Sequence, residues 1–345
     1  MIEQLVIFPL IFAFIISLAI TYITILSYKS IGLVDKSTKK EHPKHIHTNP
    51  IPRGGGIPIF MAMLFATLTF IKIDTQIAGI FAGALIIMIT GILDDVLDIS
   101  PYVRLGIGVV AALIVVSSGI GIGYISNPIG PGVIHFDMNL VTNLITVLWI
   151  VWGMNFVNMG AKGLDGQLPG VTMIAAIVMG ILSTRFANDI TTWPSAYLSF
   201  ALAGAYGGLL VFNIYPQKIM PGGGGGALAG YFLAVLSILS GAKVATAMIV
   251  LGVPLMDVIY VMGRRIAAGK SPVWGDTTHL HHQLLRLGWS KTKVAGFYWV
   301  VTAILGFIAL QLNSQMKIYT ILLIAVILGG VLLWINLFLS SNQSE

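Results

Sequence analysis

Long apolar segments recur from one end of the chain to the other, and their length restricts the fold more than any other feature. The runs are about 20 residues long, which is what a helix needs to cross a bilayer and twice what a barrel strand needs. Because backbone N–H and C=O groups in lipid must pair within the chain, runs of this length form helices. The sequence therefore predicts an all-α, polytopic integral membrane bundle.

The composition excludes the main alternatives. Hydrophobic residues make up 57% of the 345 residues and charged residues only 9%, whereas soluble domains carry about 25% charged residues. An ordinary soluble enzyme, a coiled coil and a disordered chain are thereby excluded. The formal net charge is +6, but the basic residues fall in loops between apolar runs, so no nucleic-acid partner is indicated. With no cysteine, the chain has neither a disulfide nor a thiolate metal site.

We predict eleven transmembrane helices. The first is a retained span, because it is too long for the core of a signal peptide and lacks a basic leader and a small-residue cleavage site. The predicted spans lie at about 5–27, 55–71, 77–92, 105–123, 140–157, 170–184, 194–212, 226–241, 244–262, 294–311 and 318–339.

The distribution of Lys and Arg predicts the orientation. Fifteen of the 19 basic residues fall in loops that follow odd-numbered spans. Since positive residues are enriched on the cytoplasmic side, we expect the N-terminus outside and the C-terminus in the cytosol. The chain is predicted to be one integral membrane domain, 1–345, with a site formed by five cytosolic loops at about 28–54, 93–104, 158–169, 213–225 and 263–293.

Three carboxylates lie close together at the end of the third span, at Asp94, Asp95 and Asp98. On a helix Asp94 and Asp98 would share a face, with Asp95 about 100° away. Unpaired acids in a membrane segment are costly, and paired carboxylates suit Mg²⁺, which takes oxygen ligands shared with substrate phosphates. We predict a metal- or phosphate-related role, although helix capping by Asp98 or Ser100 ahead of Pro101 would explain one acid.

Two glycine-rich segments suit anions. Arg53 precedes three glycines at the entrance of the second span, where a cation and free backbone N–H groups can bind phosphate. The alternative, a loop that contacts lipid headgroups, is the interpretation that we favour for the Lys cluster at 36–44. Residues 222–226 are five consecutive glycines at the start of the eighth span, and they form either a flexible hinge or a nest of N–H groups.

Polar residues also follow the fifth and seventh spans. Asn155 and Asn158 are three residues apart, which places them on one helix face ahead of a turn with Lys162 and Asp165. The alternative to a functional site at these residues is a polar turn between two spans. Asn213 ends the seventh span.

The last predicted cytosolic loop is the richest in polar residues. Asp257 lies inside an apolar helix, two turns before an Arg pair. His279, His281 and His282 could ligate zinc, but no Cys or Glu is near enough in the sequence to complete such a site. Neutral or protonated His beside Arg suits a pyrophosphate better.

Taken in order, these motifs resemble those of the polyprenyl-phosphate N-acetylhexosamine-1-phosphate transferases, in the GlcNAc-1-phosphate branch of glycosyltransferase family 4. The resemblance covers nearly the whole chain and includes the eleven-span, N-out layout. The matching motifs are Pro-Ile-Pro-Arg53-x-Gly-Gly, Asp94-Asp95-x-x-Asp98, Asn155-x-x-Asn158 running into Gly163-Leu-Asp165-Gly166, Pro254-x-x-Asp257 and Asp276-x-x-His279-Leu-His281-His282.

The resemblance implies a reaction that uses Mg²⁺, in the cell membrane, with the active site on the cytosolic face. A polyprenyl phosphate attacks the β-phosphate of a UDP-linked N-acetylhexosamine and gives polyprenyl-diphospho-sugar and UMP, the first membrane step of a cell-wall or surface glycan. The pattern His279-Leu-His281-His282 is typical of enzymes that take UDP-GlcNAc, and the lipid in a bacterium would be undecaprenyl phosphate. A homodimer is left open.

The resemblance also implies roles for individual residues. Catalytic and metal-binding roles fall to Asp94, Asp95 and Asp165. Substrate-binding roles fall to Arg53, Asn155, Asn158, Lys162, Asn213, Asp257, His279, His281 and His282.

Two positions depart from the family pattern. The family has Asp-Gly-x-Asp-Gly after the second Asn. In this chain Lys162 replaces the first Asp of that motif, and one residue is inserted between it and Asn158. The family also has a metal-binding Asp where this chain has Gly223. Three explanations are open. The remaining acids and the substrate phosphates hold Mg²⁺, or Lys162 replaces the missing metal charge, or catalysis is lost and only nucleotide-sugar or lipid-phosphate binding remains. A transporter with Asp257 as its coupling site is a separate hypothesis.

Overall fold

The computed structural model describes residues 3–35, 51–127, 130, 132–136, 138–185, 193–240, 244–272 and 278–341. The Lys cluster at 36–44 and Asp276 of the last motif lie outside these residues. Most of the described chain is helical and most of the helices are apolar. The prediction of an all-α, multi-pass membrane protein is therefore confirmed.

Thirteen α-helices form within the described residues, the first of them preceded by a π-helical turn at Glu3–Ile7. In chain order they are α1 (Phe8–Ser30), α2 (Gly56–Phe70), α3 (Thr75–Leu97), α4 (Pro101–Ser117), α5 (Asn139–Gly160), α6 (Gln167–Thr184), α7 (Trp193–Asn213), α8 (Gly222–Leu239), α9 (Val244–Val250), α10 (Gly252–Ala267), α11 (Leu280–Arg286), α12 (Lys291–Gln311) and α13 (Ser314–Ser341).

Each of the eleven predicted spans contains a helix, but not all of these helices have the full length of a span. Within the described ranges, eight pass as membrane spans by length and apolarity, namely α1, α3, α5, α6, α7, α8, α12 and α13. Helices α2 and α4 have 15 and 17 residues. At 1.5 Å per residue they reach about 23–26 Å, less than the roughly 30 Å of a hydrocarbon core.

The ninth predicted span is not a continuous helix. It is divided into α9 and α10, which meet at Leu251 with a bend of 82°. Gly252 and Pro254 follow the break, and proline both lacks a backbone donor and fits the first turn of a helix. Proline near the first turn of a helix was therefore a sequence signal for a boundary inside this apolar run.

Two short antiparallel strand pairs add to the helices. Strand β1 (Val34–Asp35) pairs with β2 (Ile51–Pro52), and β3 (Tyr124–Ser126) pairs with β4 (Val133–His135). Strand β2 leads directly into Arg53 and the glycines before α2. Its pairing with β1 therefore fixes the chain at the entrance of that helix.

Helix α8 lies at the centre of the bundle and is the most enclosed of the eight long spans. Its neighbours include α3 and α5, and α7 packs against α1 and α6. Small residues occupy these contacts, as is usual where membrane helices approach closely. The Ser17 hydroxyl on α1 donates to the Ala205 carbonyl on α7 at 2.6 Å, and Tyr231 on α8 donates to the Ile80 carbonyl on α3 at 2.8 Å.

The contact between α1 and α7 generates a stability prediction. A Cβ at Gly204 would overlap the Leu10 carbonyl oxygen, whereas a Cβ at Gly296 on α12 meets nothing within 4 Å. We expect Gly204→Ala to lower the free energy of unfolding by about 1–3 kcal/mol, because overpacking forces two helix backbones apart. Gly296→Ala is the matched control and should not lower it. The measurement is unfolding in detergent followed by tryptophan fluorescence, and equal stabilities would contradict this account of the packing.

Candidate functional site

The acid pair at the end of α3 faces the glycine run that begins α8. Asp95 Oδ1 accepts the backbone N–H of Gly223 at 3.1 Å. A Cβ at Gly222 would overlap Asp95 Oδ2, and a Cβ at Gly223 would lie 2.7 Å from Asp94 Oδ2. Only glycine therefore lets the positive end of the α8 dipole reach these carboxylates. Gly222 also has a φ of +68°, which side chains disfavour.

Asp94 is held by a residue of the next helix. Its Oδ2 accepts a hydrogen bond from Arg104 Nη1 on α4 at 2.6 Å, and the Asp94 side chain is only 8% exposed. The other oxygen, Asp94 Oδ1, is buried and has no hydrogen-bond partner within the described part of the chain. Arg104 was read from the sequence only as a loop charge, because its contact with Asp94 depends on how α4 folds back on α3.

The expected shared face of Asp94 and Asp98 is not formed. Helix α3 ends at Leu97, and Asp98 adopts a left-handed conformation with a φ of +52°. The Asp98 N–H donates to the Asp94 carbonyl at 2.9 Å, which closes the helix. Asp98 is thus the C-terminal cap of α3. Pro101 then begins α4 without a side-chain capping bond from Ser100.

Asn158 and Lys162 approach the same glycine run from the end of α5. A Cβ at Gly226 would overlap Asn158 Oδ1 and lie 3.0 Å from Lys162 Cδ. Asn158 Oδ1 is buried and lacks a hydrogen-bond partner among the described residues. Both side chains therefore lie beside the first turns of α8, against Gly226, three residues after Gly223.

Lys162 is the ammonium group of this cluster. Its charge interacts most strongly with Asp95, and more weakly with Arg53, Asp94 and Arg104. Burial lowers the pKa of Lys162 from its ordinary 10.5 to about 8, although the negative charge of Asp95 opposes this shift.

Arg53 is brought to the cluster by backbone pairing. The Met220 N–H donates to the Pro52 carbonyl at 2.8 Å, and the Gly55 N–H donates to the Met220 carbonyl at 3.1 Å. These two bonds join the entrance of α2 to the segment before α8. The Arg53 carbonyl consequently lies against Gly222, so close that a Cβ there would overlap it.

Asp165 and Asn213 form a second polar group. Asp165 is 3% exposed, and its carboxylate accepts the Gln217 N–H at 3.4 Å and lies 4.0 Å from Lys291 Nζ. Asn213 accepts the Gly166 N–H at 2.9 Å and donates to the Ile219 carbonyl at 2.6 Å. These bonds hold the turn after α5 against the segment between α7 and α8.

The three acids that the resemblance assigns to a metal site thus have different partners. Asp94 and Asp95 face α4 and α8, while the carboxylate of Asp165 faces Gln217 and Lys291. Among the described residues, no three Asp, Glu or His side chains come together to hold a metal ion. Their joint role as metal ligands stays a prediction.

Asp257 and the histidines form a third group between α10 and α11. Asp257 is fully buried; its Oδ2 lies 2.9 Å from His279 Nδ1, and its Oδ1 accepts the Leu280 N–H at 2.8 Å. His279 stacks on His281 at 5.7 Å between ring centroids, and His281 lies 4.3 Å from His282. Asp257 therefore fixes the start of α11, a helix that the sequence did not predict.

His281 is a neutral contact and not a cation. Burial lowers the pKa of His281 well below its ordinary value, and the neighbouring His282 and His279 lower it further. Its ring lies against Gly163, where a Cβ would overlap it. Of the two protonation states that the sequence left open, the neutral form is favoured at pH 7.

Asn155 points to its own helix. Its amide nitrogen donates to the Val151 carbonyl at 2.7 Å, so one amide N–H and the amide oxygen are left for another partner. A residue that the sequence did not single out has a clearer contact: Trp299 on α12 donates to the Gly166 carbonyl at 3.1 Å. Tryptophan in a long apolar run carried no sequence signal for this role.

Contacts join residues from all five predicted loops, and the charges around the acid pair suit an anion. The three cations Arg53, Arg104 and Lys162 face the two acids Asp94 and Asp95, which gives the cluster a net charge of +1. Fixed cations and oriented N–H donors in a partly buried site stabilise phosphate oxygens. The cluster can therefore bind a phosphorylated ligand.

Comparison with known proteins agrees with this geometry. Residues 77–241, which run from α3 to the end of α8, match the model of glycosyl transferase family 4. The chain is also 29% identical to the probable undecaprenyl-phosphate N-acetylglucosaminyl 1-phosphate transferase of Bacillus subtilis (strain 168). That alignment spans 335 residues, which are 95% of this chain and 87% of the relative. Over residues 77–241 the chain is therefore similar to glycosyl transferase family 4.

Further relatives of this chain differ in the substrates that they are named for. The decaprenyl-phosphate N-acetylglucosaminephosphotransferase of Mycobacterium tuberculosis is 28% identical over 324 residues, which are 84% of this chain and 79% of the relative. The phospho-N-acetylmuramoyl-pentapeptide-transferase of Bacillus pumilus (strain SAFR-032) is 26% identical over 330 residues, 91% of this chain and 99% of the relative.

The buried carboxylate of Asp257 generates a second prediction. Asp257→Ala leaves His279 Nδ1 and the Leu280 N–H buried without an acceptor, and we expect it to lower the free energy of unfolding by about 3 kcal/mol. Asp257→Asn keeps one oxygen and should lower it less. Hydrogen exchange of the α11 amides in the native protein is the specific measurement. If Asp257→Ala exchanges there as slowly as the unsubstituted protein, the carboxylate does not hold α11.

Proposed function

We propose that this protein transfers N-acetylhexosamine-1-phosphate from a UDP-sugar to a polyprenyl phosphate. The products are polyprenyl-diphospho-sugar and UMP, and the reaction is the first membrane step of a cell-wall or surface glycan. The observation that carries the proposal is the cluster of cations and acids around the start of α8, all of which except Arg53 lie inside the region that matches the family. The names of the relatives that align over most of the chain support the same reaction.

GlcNAc-1-phosphate is the proposed group and undecaprenyl phosphate the proposed acceptor. The first relative carries both in its name. The sequence His279-Leu-His281-His282 supports the same choice by resemblance. A relative that acts on the muramoyl pentapeptide is also similar over the chain, so UDP-MurNAc-pentapeptide is the substrate to compare.

The chemistry requires one bond to form and one to break. An oxygen of the lipid phosphate attacks the β-phosphorus of the UDP-sugar, and the bond from that phosphorus to the bridging oxygen breaks, so that UMP leaves with the bonding pair. Both reactants are anionic, and charge develops on the bridging oxygen. Arg53 and Lys162 offset this charge, and the N–H groups at the start of α8 lie where they can orient phosphate oxygens.

The carboxylates position these donors. Asp95 accepts the Gly223 N–H and interacts with the charge of Lys162. Asp94 holds Arg104. In this proposal the acids orient the cations and keep the empty cluster close to neutral, so that the phosphates are bound but UMP can still leave.

A Mg²⁺ site of three carboxylates does not fit these residues. One oxygen of Asp94 and one of Asp95 are used by Arg104 and the Gly223 N–H, and Asp165 is engaged with Gln217 and Lys291. Mg²⁺ demands near-ideal octahedral oxygen ligands at 2.0–2.1 Å. The proposed transfer therefore has no step at a metal ion.

The protein is a multi-pass membrane protein, and we propose that it lies in the cell membrane with its site on the cytosolic face. The excess of Lys and Arg in alternate loops supports this orientation. It also suits the substrates, because a UDP-sugar is soluble in the cytosol whereas a polyprenyl phosphate is held in the bilayer.

The decisive test is UMP release from UDP-GlcNAc by the purified protein in detergent. We expect release only when undecaprenyl phosphate is present, and slower release from UDP-MurNAc-pentapeptide. Uptake of UDP-GlcNAc into sealed vesicles without UMP formation would instead favour a transporter. Binding of UDP-GlcNAc without release under any condition would show an impaired relative.

Neutralising one acid should separate transfer from binding. We expect Asp95→Asn to lower the rate of UMP release at least about a hundredfold and UDP-GlcNAc affinity less, because the counter-charge of Lys162 and the acceptor of Gly223 are both weakened. Asp74→Asn is the matched control at the other end of α3, where Asp74 caps the helix through Ile77 and Asn caps equally well. A rate near that of the control would remove Asp95 from the mechanism.

The lowered pKa of Lys162 predicts a pH dependence. With a pKa of about 8 in the free protein, the ammonium form is present below pH 8 and is lost as the pH rises above it. We expect kcat/KM to fall above about pH 8. In Lys162→Arg this alkaline fall should move to higher pH, since arginine stays protonated. An unchanged pH profile in that variant would show that another group titrates.

A further inference from the structure

Lys162 places a positive charge near Asp94 and Asp95, two acids that could otherwise bind a metal ion. We propose that the Lys162 ammonium supplies the fixed positive charge of the acid pair, and that transfer therefore proceeds without a divalent metal ion. The inference rests on the proposed transfer activity. It also accounts for the poor fit of Mg²⁺ to the carboxylates.

The first support is the position of the side chain. Lys162 packs its stem on Gly226, and its charge interacts first with Asp95. Asn158 Oδ1 and Asp94 Oδ1, on either side of the glycine run, are buried acceptors without hydrogen-bond partners in the described parts of the chain. An ammonium has three donors and no acceptor. Lys162 shares the contact at Gly226 with Asn158 and interacts with the charge of Asp94, so its ammonium is suited to donate to these acceptors.

The second support is steric. A third carboxylate beside the acid pair has little room at three of the five glycines, because a Cβ at Gly222 or Gly226 would overlap Asp95 Oδ2 or Asn158 Oδ1, and one at Gly223 would lie 2.7 Å from Asp94 Oδ2. At Gly222 and Gly223 the glycine run therefore offers backbone N–H groups to the site. These donors bind anions and repel a metal ion.

The third support is the balance of charge. Arg53, Arg104 and Lys162 against Asp94 and Asp95 give +1, and a bound divalent ion would raise this to +3. Like charges repel more strongly in a partly buried site than in water, so that the three nearby cations oppose the entry of a dication. Without Lys162 the same cluster would be neutral and would accept one.

The experiment measures UMP release from UDP-GlcNAc and undecaprenyl phosphate, in EDTA and along a Mg²⁺ titration. Four forms are compared: the unsubstituted protein, Lys162→Met, Lys162→Arg, and Lys270→Met as a matched control at an exposed lysine. We expect the unsubstituted protein, Lys162→Arg and Lys270→Met to keep at least about half of their rate in EDTA. Lys162→Met should lose at least about tenfold in EDTA and regain part of it with Mg²⁺.

Two results of this assay would overturn the inference. One is a loss of about tenfold or more by the unsubstituted protein in EDTA, restored at the same Mg²⁺ concentration as in Lys162→Met. The other is a Lys162→Met that matches the unsubstituted protein in EDTA. Absence of UMP release from the unsubstituted protein at every Mg²⁺ concentration would instead overturn the proposed function.

A binding measurement tests whether Lys162 takes the place of a metal ion. It needs no catalytic turnover, so an inactive variant can also be measured. Mn²⁺ binding to the substrate-free protein is followed by electron paramagnetic resonance. Lys162→Asp should bind Mn²⁺ at least about tenfold more tightly than the unsubstituted protein, because one cation becomes an acid. Equal affinities in the two forms would show that Lys162 does not take the place of a metal ion.

Discussion

The contact between the last turn of α3 and the first turn of α8 is the interaction on which the site depends. Gly223 reaches Asp95 with its backbone N–H only because the glycines at the start of α8 carry no side chains that would hold the helices apart. The positive end of a buried helix dipole thus meets two carboxylates. The same glycines leave room for Lys162 and Asn158, so that packing and charge are set by one local feature.

The other two polar groups hold the surrounding loops against this contact. The bonds of Asp165 and Asn213 fix the turn after α5 and the segment before α8 to each other. Asp257 ties α10 to α11, and α11 lays the His281 ring on Gly163. Each acid is thereby engaged by local donors. Because buried carboxylates need such partners to be tolerated, their first role is to define the shape of the site.

The spans and most of the polar motifs could be predicted from the sequence, because apolar length and residue type act locally. What failed depended on neighbours that are distant in sequence. Asp98 was expected on a helix face, but α3 ends at Leu97 and Asp98 is its C-terminal cap. Arg104 and Trp299 acquired roles only through the packing of α4 and α12. No pattern in an apolar run reveals which helix will lie opposite a given side chain.

The glycine run also restricts how this protein can change in evolution. An acid introduced at Gly223 alone would place its Cβ 2.7 Å from a carboxylate oxygen of Asp94, with like charges in contact and no ion between them. A single substitution toward a carboxylate is therefore selected against while Lys162 and Asp94 keep their places. Descendants of this sequence are thus expected to keep glycine at this position as long as Asp94 remains.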